Sequence, residues 1–408
     1  MKRRRFLTCS TLFPVGGAVA AAEAPAVNTP PAAAPAPEAA SFGFASAPVL
    51  THPAEDAVSI LWATNGFGSG WIEYGETAAL GQKAGGADGG LMPYDERTFK
   101  IRLQGLKPGT TYHYRVAASP VNFRSAYKIE RGPAVYSAVH TFRTLNASAE
   151  ETTFTIWNDT HEQAETLQKL HALHQEKPGD FLLWNGDVTN DIYKEEKMVE
   201  QFLSPKGVAF ATSVPYFFVR GNHDVRGPAA RHLPRFTQVE GTQWYYSFRQ
   251  GPVGALVLDT GEDKPDDHPV YAGLNDFAAF RTLQAQWLAQ EIEKPHFKSA
   301  PYKILFCHIP LRWKDEKKSG VYCADGRAKW HDLLVKGGVQ LVISGHTHEP
   351  HWLPADASVP YAQLVGGGPK PERATLIRGH ASQRQLTVTM SRLDGSVLQE
   401  VILPARPA

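Results

Sequence analysis

The chain has 408 residues, enough for two or three domains at roughly 150 residues each. Hydrophobic residues make up 42% and charged residues 20%, which excludes a wholly disordered chain, a collagen and a coiled-coil rod. Lys plus Arg is 42 and Asp plus Glu is 41, so the net charge of +1 lacks the basic excess of a dedicated nucleic-acid binder.

Lys2-Arg3-Arg4-Arg5-Phe6-Leu7 opens the chain, followed by a short apolar stretch from Thr8 to Val19 and by Ala20-Ala21-Ala22. Basic head, short apolar body and small-residue end describe a signal peptide over 1–22. Its Arg3-Arg4-Arg5-Phe6-Leu7 core resembles the twin-arginine pattern. The expectation is a periplasmic or secreted protein, with the twin-arginine export machinery as a partner. The apolar body is too short for a bilayer core of about 30 Å, and no later run is long and apolar enough for a membrane span. Residues 23–45 are rich in Ala and Pro and read as an extended linker. Beyond Cys9, which precedes most of the apolar body, Cys307 and Cys323 remain. They are expected as buried thiols rather than a bridge, because a core of this size does not need one.

From 46 to 146 the signals are β only. Ser59-Ile60-Leu61-Trp62, Trp71-Ile72-Glu73-Tyr74 and Thr98–Leu103 are rich in β-branched and aromatic residues. In the last, Phe99, Ile101 and Leu103 alternate with Lys100 and Arg102. Pro108-Gly109 makes a turn into Tyr112–Val116. Short strands at regular spacing predict an all-β sandwich. The stretch Leu106-x-Pro108-Gly109-Thr110-x-Tyr112 resembles the tyrosine corner of fibronectin type III domains. Trp62, Trp71, Tyr112 and Tyr114 are expected in that core rather than on a carbohydrate-binding platform.

From 150 to 408, strand-like and helix-like runs alternate, which predicts an α/β layered domain. Helices are expected over 163–175, 277–294 and 328–335. On the first, Ala164, Leu167, Leu170 and Leu173 form the apolar stripe, and His171 and His174 are expected on the solvated face. On the second, the stripe is Phe280, Leu283, Trp287, Leu288 and Ile292. Residues 244–259 read as a hairpin turning at Gly251-Pro252.

The strands of this half share one feature. Phe154–Trp157 leads to Asp159 and His161, and Phe181–Trp184 leads to Gly186-Asp187. Tyr216–Val219 leads to Gly221-Asn222-His223-Asp224. Lys303–Cys307 leads to His308, and Leu341–Ser344 leads to Gly345-His346-Thr347-His348. Ligands in open α/β sheets bind beyond the carboxyl ends of the strands, so these ends are expected to converge. Each motif alone reads as a turn or a core His; jointly they read as a site. Asp159, His161, Asp187, Asn222, His308, His346 and His348 form a nitrogen and oxygen donor set without thiolate. Such a set suits Zn, Fe or Mn. The expected cofactors are two divalent or mixed-valence metal ions, bridged by the carboxylate of Asp187. Metal pairs about 3.5–4 Å apart clamp the attacking and leaving oxygens of an in-line displacement at phosphorus.

The series D-x-H, G-D, G-N-H-D, H and G-H-x-H, from Asp159 to His348, closely resembles the calcineurin-like metallophosphoesterases. The resemblance implies a four-layer α-β-β-α sandwich. It implies one metal on Asp159, His161, Asp187 and His348, and another on Asp187, Asn222, His308 and His346. It also implies that His223 binds no metal but faces the substrate, with Asp224 orienting it. A fibronectin-like sandwich ahead of such a domain, together with His308-Ile309-Pro310, resembles the purple acid phosphatases. Two departures stand out. Asn190 occupies the position where that group carries a metal-binding Tyr, and His161 is a His that the group lacks. The ferric-tyrosinate colour is therefore not expected, and Tyr193, at an expected helix start, is not expected to replace that Tyr.

Arg226 and Arg312, close to the G-N-H-D motif and to His308, are candidates for contacting a phosphate ester bidentately. Lys314, Glu349 and His351 read as solvated loop residues, and His232 falls in a loop whose course the sequence does not fix. The functional expectation is an exported phosphomonoesterase acting on a small phosphate ester by attack of a metal-bound hydroxide. A phosphodiesterase with the same centre is the alternative, and a non-catalytic binding or cell-surface module is the rival from another class.

Overall fold

The computed structural model describes residues 41–95, 97–237, 243–318 and 320–406. The expected signal peptide and nearly all of the expected linker lie outside them. The front half contributes β1 (Val49–Thr51), β2 (Val58–Ala63), β3 (Gly68–Gly75), β4 (Gln82–Ala84), β5 (Thr98–Leu103), β6 (Thr111–Ser125), β7 (Lys128–Arg131), β8 (Val135–Tyr136) and β9 (His140–Arg143). The back half begins with β10 (Thr152–Trp157), α1 (Ala164–Glu176), β11 (Phe181–Asn185), β12 (Tyr216–Val219), β13 (Tyr246–Gln250) and β14 (Val253–Val257). It continues with α2 (Phe277–Glu291), a single-turn α3 (Pro295–Lys298), β15 (Tyr302–Phe306), α4 (Ala324–Gly337), β16 (Leu341–Ser344), β17 (His351–Leu353) and β18 (Ala362–Val365). The last strands are β19 (Thr375–Ala381), β20 (Gln385–Arg392) and β21 (Val397–Pro404).

Two sheets face each other in the back half. The larger runs β21-β20-β19-β10-β11-β12-β1-β2-β5, and the smaller β13-β14-β15-β16-β18-β17. Strands β10, β11 and β12 are parallel and covered on both faces, so they read as near-continuous apolar runs. Phe154, Ile156, Phe181, Leu183, Phe217 and Val219 point between the sheets, against Val257, Ile304, Phe306 and Ile343. Trp157, Leu182, Trp184, Tyr216 and Phe218 point outward, beneath Leu167 and Leu170 of α1. Outside the smaller sheet, Leu288 of α2 and Trp330 and Leu334 of α4 pack on Leu305 and Val342. This is the expected α-β-β-α layering. Each fully buried Leu, Ile or Phe contributes about 1.5–3 kcal/mol. No helix among the described residues is long and apolar enough to cross a membrane.

The front sandwich has its own core around Trp62, Phe99, Tyr112 and Phe142. The Tyr112 hydroxyl accepts from the Lys107 N–H at 2.9 Å, which is the bond of a tyrosine corner. One of its sheets does not stop at the domain boundary. β1 pairs in parallel with β12, Thr51 opposite Tyr216, so β1, β2 and β5 extend the larger sheet of the back half. Leu50 N–H donates to Ala211 at 2.9 Å, and the Tyr114 hydroxyl donates to Thr212 at 2.7 Å. The two halves thus share a sheet that runs behind the loop carrying Asn222. The fold also begins before residue 46: Phe44 bridges Thr64, and Gly43 N–H donates to the Asn65 side chain.

Three local expectations need correction. His174 is fully buried, edge-on to Trp157 at 6.0 Å, because it lies seven residues after Leu167 and four after Leu170 on the same stripe. On α2, Leu283 is 52% exposed, while Arg281, Gln284 and Glu291 are buried. Gln284 exchanges hydrogen bonds with the backbone of Asp259, and Arg281 donates to Thr260. Tyr193 starts no helix; it stands in an exposed loop. Cys307 and Cys323 are both buried free thiols.

Candidate metal centre

The five motif strands end together at one edge of the two facing sheets, β10, β11 and β12 from the larger and β15 and β16 from the smaller. The chain turns sharply just past them. Asp159, His161, Asp187, His346 and His348 all have positive φ, at 48°, 43°, 51°, 70° and 56°. Such conformations cost non-glycine residues about 1–3 kcal/mol each and persist only when the surroundings over-determine them. Here backbone bonds do so. Asp159 N–H donates to Gly186 and His161 N–H to Asp187, at 3.1 and 2.9 Å, and Gly345 N–H donates to His308 at 2.9 Å. Two glycines permit the close approach. A Cβ on Gly345 would stand 2.1 Å from Asp159 Oδ2, and one on Gly221 would stand 2.3 Å from Asp187 Oδ1.

The side chains converge in two groups that share Asp187. Asp159, His161, Asp187 and His348 bring one ligand atom each to within 4.8 Å of the others, and so do Asp187, His308 and His346. Asp187 Oδ2 lies 3.3 Å from His161 Nε2 and 3.2 Å from His308 Nε2. His161 and His348 point their Nε2 atoms at each other, 3.0 Å apart. Asn222 Oδ1 is 2.8 Å from His346 Nδ1. All seven expected donors are therefore in one place.

The donor set fits cations. His308 Nδ1 is 2.8 Å from the Asn185 carbonyl, so it must be the N–H of the ring. That leaves a lone pair on Nε2, a buried atom without a hydrogen-bond partner, facing two carboxylates. Lone pair against carboxylate is repulsive unless a positive charge lies between them. Without a metal ion that charge is a proton on Nε2: burial lowers the pKa of His308, but Asp187 and Asp159 outweigh it and push it up to about 10, and a bound cation would displace that proton. Burial likewise opposes the ionised form of Asp187, yet His308 and His161 hold it well below the usual carboxylate range. The pocket demands cations, and its Asp and His residues are consistent with two metal ions.

Around this set, Asn190 serves two histidines. Its side-chain oxygen meets His161 Nδ1 at 3.2 Å, and its carbonyl accepts from His223 Nδ1 at 2.8 Å. Asp224 does not orient His223, contrary to expectation. It is fully buried, and its oxygens accept from the N–H groups of Gly221, Asp187, Val188 and Thr189 at 2.8, 2.9, 3.1 and 3.3 Å. It fastens the Gly-Asp loop to the Gly-Asn-His-Asp loop. Burial and then Asp187 push its pKa up, against the pull of these donors.

The two candidate substrate arginines are engaged elsewhere. Arg226 makes a bidentate pair with Glu262 at 3.0 and 2.8 Å, and its Nη1 meets His223 Nε2 at 3.0 Å. Arg312 holds Asp356 at 2.7 Å and the Pro354 carbonyl at 3.0 Å, which anchors a loop. Lys314 pairs with Glu349, His232 with Glu195, and His351 lies against Trp313. Three contributors were missed in the sequence. Asn158 Nδ2 donates to Asp159 Oδ2 at 2.8 Å and to Gly367 at 2.6 Å. Glu262 clamps Arg226. Gly366, Gly367 and Gly368 follow β18, and a Cβ on Gly368 would stand 2.5 Å from that of His348. The glycine run at a strand end was the signal available for the last of these.

Comparison with known proteins agrees with this geometry. Residues 152–350 match the calcineurin-like phosphoesterases, and residues 47–144 match the N-terminal domain of purple acid phosphatases. The human serine/threonine-protein phosphatase CPPED1 is 28% identical over 196 residues, covering 46% of this chain and 58% of its own length. Purple acid phosphatase 15 of Arabidopsis thaliana is 22% identical over 298 residues, covering 64% of this chain and 50% of its own. The chain thus spans between half and three fifths of these relatives. Among solved structures, the yellow lupin (Lupinus luteus) purple acid phosphatase PPD1 superposes with a TM-score of 0.66 at 15% identity, over 88% of this chain and 74% of that one. PhoD superposes with a TM-score of 0.61 at 13% identity, over 90% of each chain. At such identities the likeness is one of fold. The chain carries a calcineurin-like metallophosphoesterase domain behind a purple-acid-phosphatase-type N-terminal domain.

Proposed function

We propose that the protein is an exported phosphomonoesterase whose chemistry runs at the Asp187-centred pair of donor groups. The observation that carries this is the sharing of buried Asp187 by two histidine-containing groups, with His223 beside them in neither group. Two ions held there would supply Lewis-acid activation of water and of a phosphoryl oxygen. The rest is the work of the chain. Asp159, His161 and His348 would hold one ion and Asn222, His308 and His346 the other, with Asp187 common to both. His223 gives its Nδ1 proton to the Asn190 carbonyl, so any proton it passes to a leaving oxygen is carried on Nε2. Arg226 donates to that same Nε2, which favours the neutral ring until substrate displaces the contact. Burial first, with help from Arg226, lowers the pKa of His223. Export is supported by the opening Arg3-Arg4-Arg5-Phe6-Leu7 sequence and its apolar continuation.

A phosphodiesterase with the same centre is the second reading. Arg226 and Arg312, both paired with acids, give no preference for the monoester. The names of the relatives, both phosphatases, support it instead. The complete donor set speaks against a non-catalytic module. A parallel assay of phenyl phosphate and diphenyl phosphate, with metal analysis of the same sample, tests the proposal. Faster turnover of the monoester by a protein with two ions is expected; turnover of the diester alone would favour the second reading. His223→Ala should keep both ions and lower kcat by about 10²–10⁴-fold.

A further inference from the structure

Arg226 and Arg312 are paired with acids, while two other arginines line a cleft beside the centre. A cleft of about 410 Å³ opens beside His348, lined by Thr347, His348, Glu349, Glu372, Arg373 and Arg392. The side chain of His348 is 37% exposed, so a metal-binding residue forms part of the cleft wall. Among the described residues, neither Arg373 nor Arg392 has a side-chain hydrogen bond or ion pair. The acids nearby are not equally free. Glu349 is paired with Lys314. Asp394, which feels the charge of Arg392, spends an oxygen on the hydroxyl and N–H of Ser396. Glu372 is the one lining acid without a partner among the described contacts.

Both arginines stand on backbone that is held in place. Arg373 lies on the loop after β18, whose Gly367 carbonyl accepts from Asn158 at 2.6 Å and whose Gly367 N–H donates to the Thr375 hydroxyl at 2.8 Å. The N–H groups of Arg373 and Ala374 donate to Lys370 at 2.8 and 2.7 Å. Arg392 is the last residue of β20 and sits opposite Thr375 in the β19–β20 register. Asn158 also bonds Asp159, so the same network fixes a metal-binding carboxylate and the Arg373 loop.

We infer that Arg373 and Arg392 form a subsite for a second anionic group, carboxylate or phosphate, on the leaving-group side of the substrate. The guanidinium is the side chain suited to such groups, since it presents a planar fork of donors to two oxygens. The preferred substrate class is then a phosphate ester whose organic part carries another negative charge. This rests on the phosphomonoesterase reading and sharpens it.

The test uses the full, metal-loaded chain and three esters: phenyl phosphate, 4-carboxyphenyl phosphate and 1,4-phenylene bisphosphate. The readout is the ratio of kcat/KM for each doubly functional ester to that for phenyl phosphate. Because all three esters meet the same centre, the ratio cancels differences in folding and metal loading among variants. Relative to wild type, Arg373→Gln/Arg392→Gln should lower at least one ratio by about tenfold, the effect of one charge-assisted hydrogen bond. Which ratio falls tells carboxylate from phosphate. A non-reacting pair, phenylphosphonate and 4-phosphonobenzoate, should show a matching loss of selectivity in calorimetric binding. Ratios identical in wild type and the double variant overturn the subsite and leave the phosphomonoesterase reading standing. A two-metal wild type that hydrolyses none of the three esters overturns both.

Discussion

Replacing Asp224 with Asn separates a structural role for this residue from a catalytic one. In the structure Oδ2 accepts from Gly221 and Asp187 N–H, and Oδ1 accepts from Val188 and Thr189 N–H. An amide has one oxygen. In either orientation its NH2 faces two buried N–H donors, which lose their acceptor and meet another donor. Leaving a buried donor unsatisfied costs about 1–3 kcal/mol, so Asp224→Asn should lose about 2–6 kcal/mol of stability. The unfolding temperature should fall by at least ~2 °C. The weaker fastening should also loosen Asp187 and reduce metal affinity. Denaturant unfolding with and without chelator measures the first effect, and equilibrium metal binding measures the second. A variant as stable as wild type, with two ions but a low kcat and a shifted pH profile, would refute this reasoning and restore Asp224 as the partner of His223.

Three further outcomes follow from particular contacts. Burial, His171 and Arg378 lower the pKa of His174 from 6.5 to about 4, so its share of stability is present above pH 6.5 and is lost as pH falls toward 4. That share is about 3 kcal/mol, and His174→Leu should flatten the stability profile across this window. Gly345→Ala places a Cβ against Asp159 Oδ2, so it should weaken binding of one ion by about 10–100-fold, measured by competition with a chelating dye. Iron-loaded protein should show no intense purple band, and Tyr193→Phe should leave its visible spectrum unchanged. Tyr193 is 68% exposed, and Asn190 is occupied with His161 and His223.

The seven donors were legible because each stands within a few residues of a strand whose apolar run marks it. Strand and ligand are a local pattern, and convergence follows from the rule that sites form at strand ends. The facing sheets followed from the resemblance to the calcineurin-like metallophosphoesterases, and the tyrosine corner from the Leu106-x-Pro108-Gly109-Thr110-x-Tyr112 pattern. What escaped depends on partners distant in sequence. Thr51 pairs with Tyr216 across 165 positions, and nothing near Thr51 announces that the front sheet continues into the back one. Arg226 and Arg312 look free in sequence until Glu262 and Asp356 are brought to them. Asp224 beside His223 invites a catalytic pairing, yet four backbone donors from neighbouring loops claim its oxygens. His174 reads as polar by residue type, while its spacing from Leu167 and Leu170 puts it inside; spacing decided the outcome.

The central claim is that one carboxylate, Asp187, holds two cations together. Substitution with Asn keeps the shape and removes the charge that His161 and His308 face at 3.3 and 3.2 Å. Metal stoichiometry of wild type and Asp187→Asn, determined by elemental analysis after exhaustive dialysis, tests it most directly. The account predicts two ions in the wild type, one or none in the variant, and nearly complete loss of phosphoesterase turnover with them. Two firmly held ions and undiminished turnover in Asp187→Asn would contradict it.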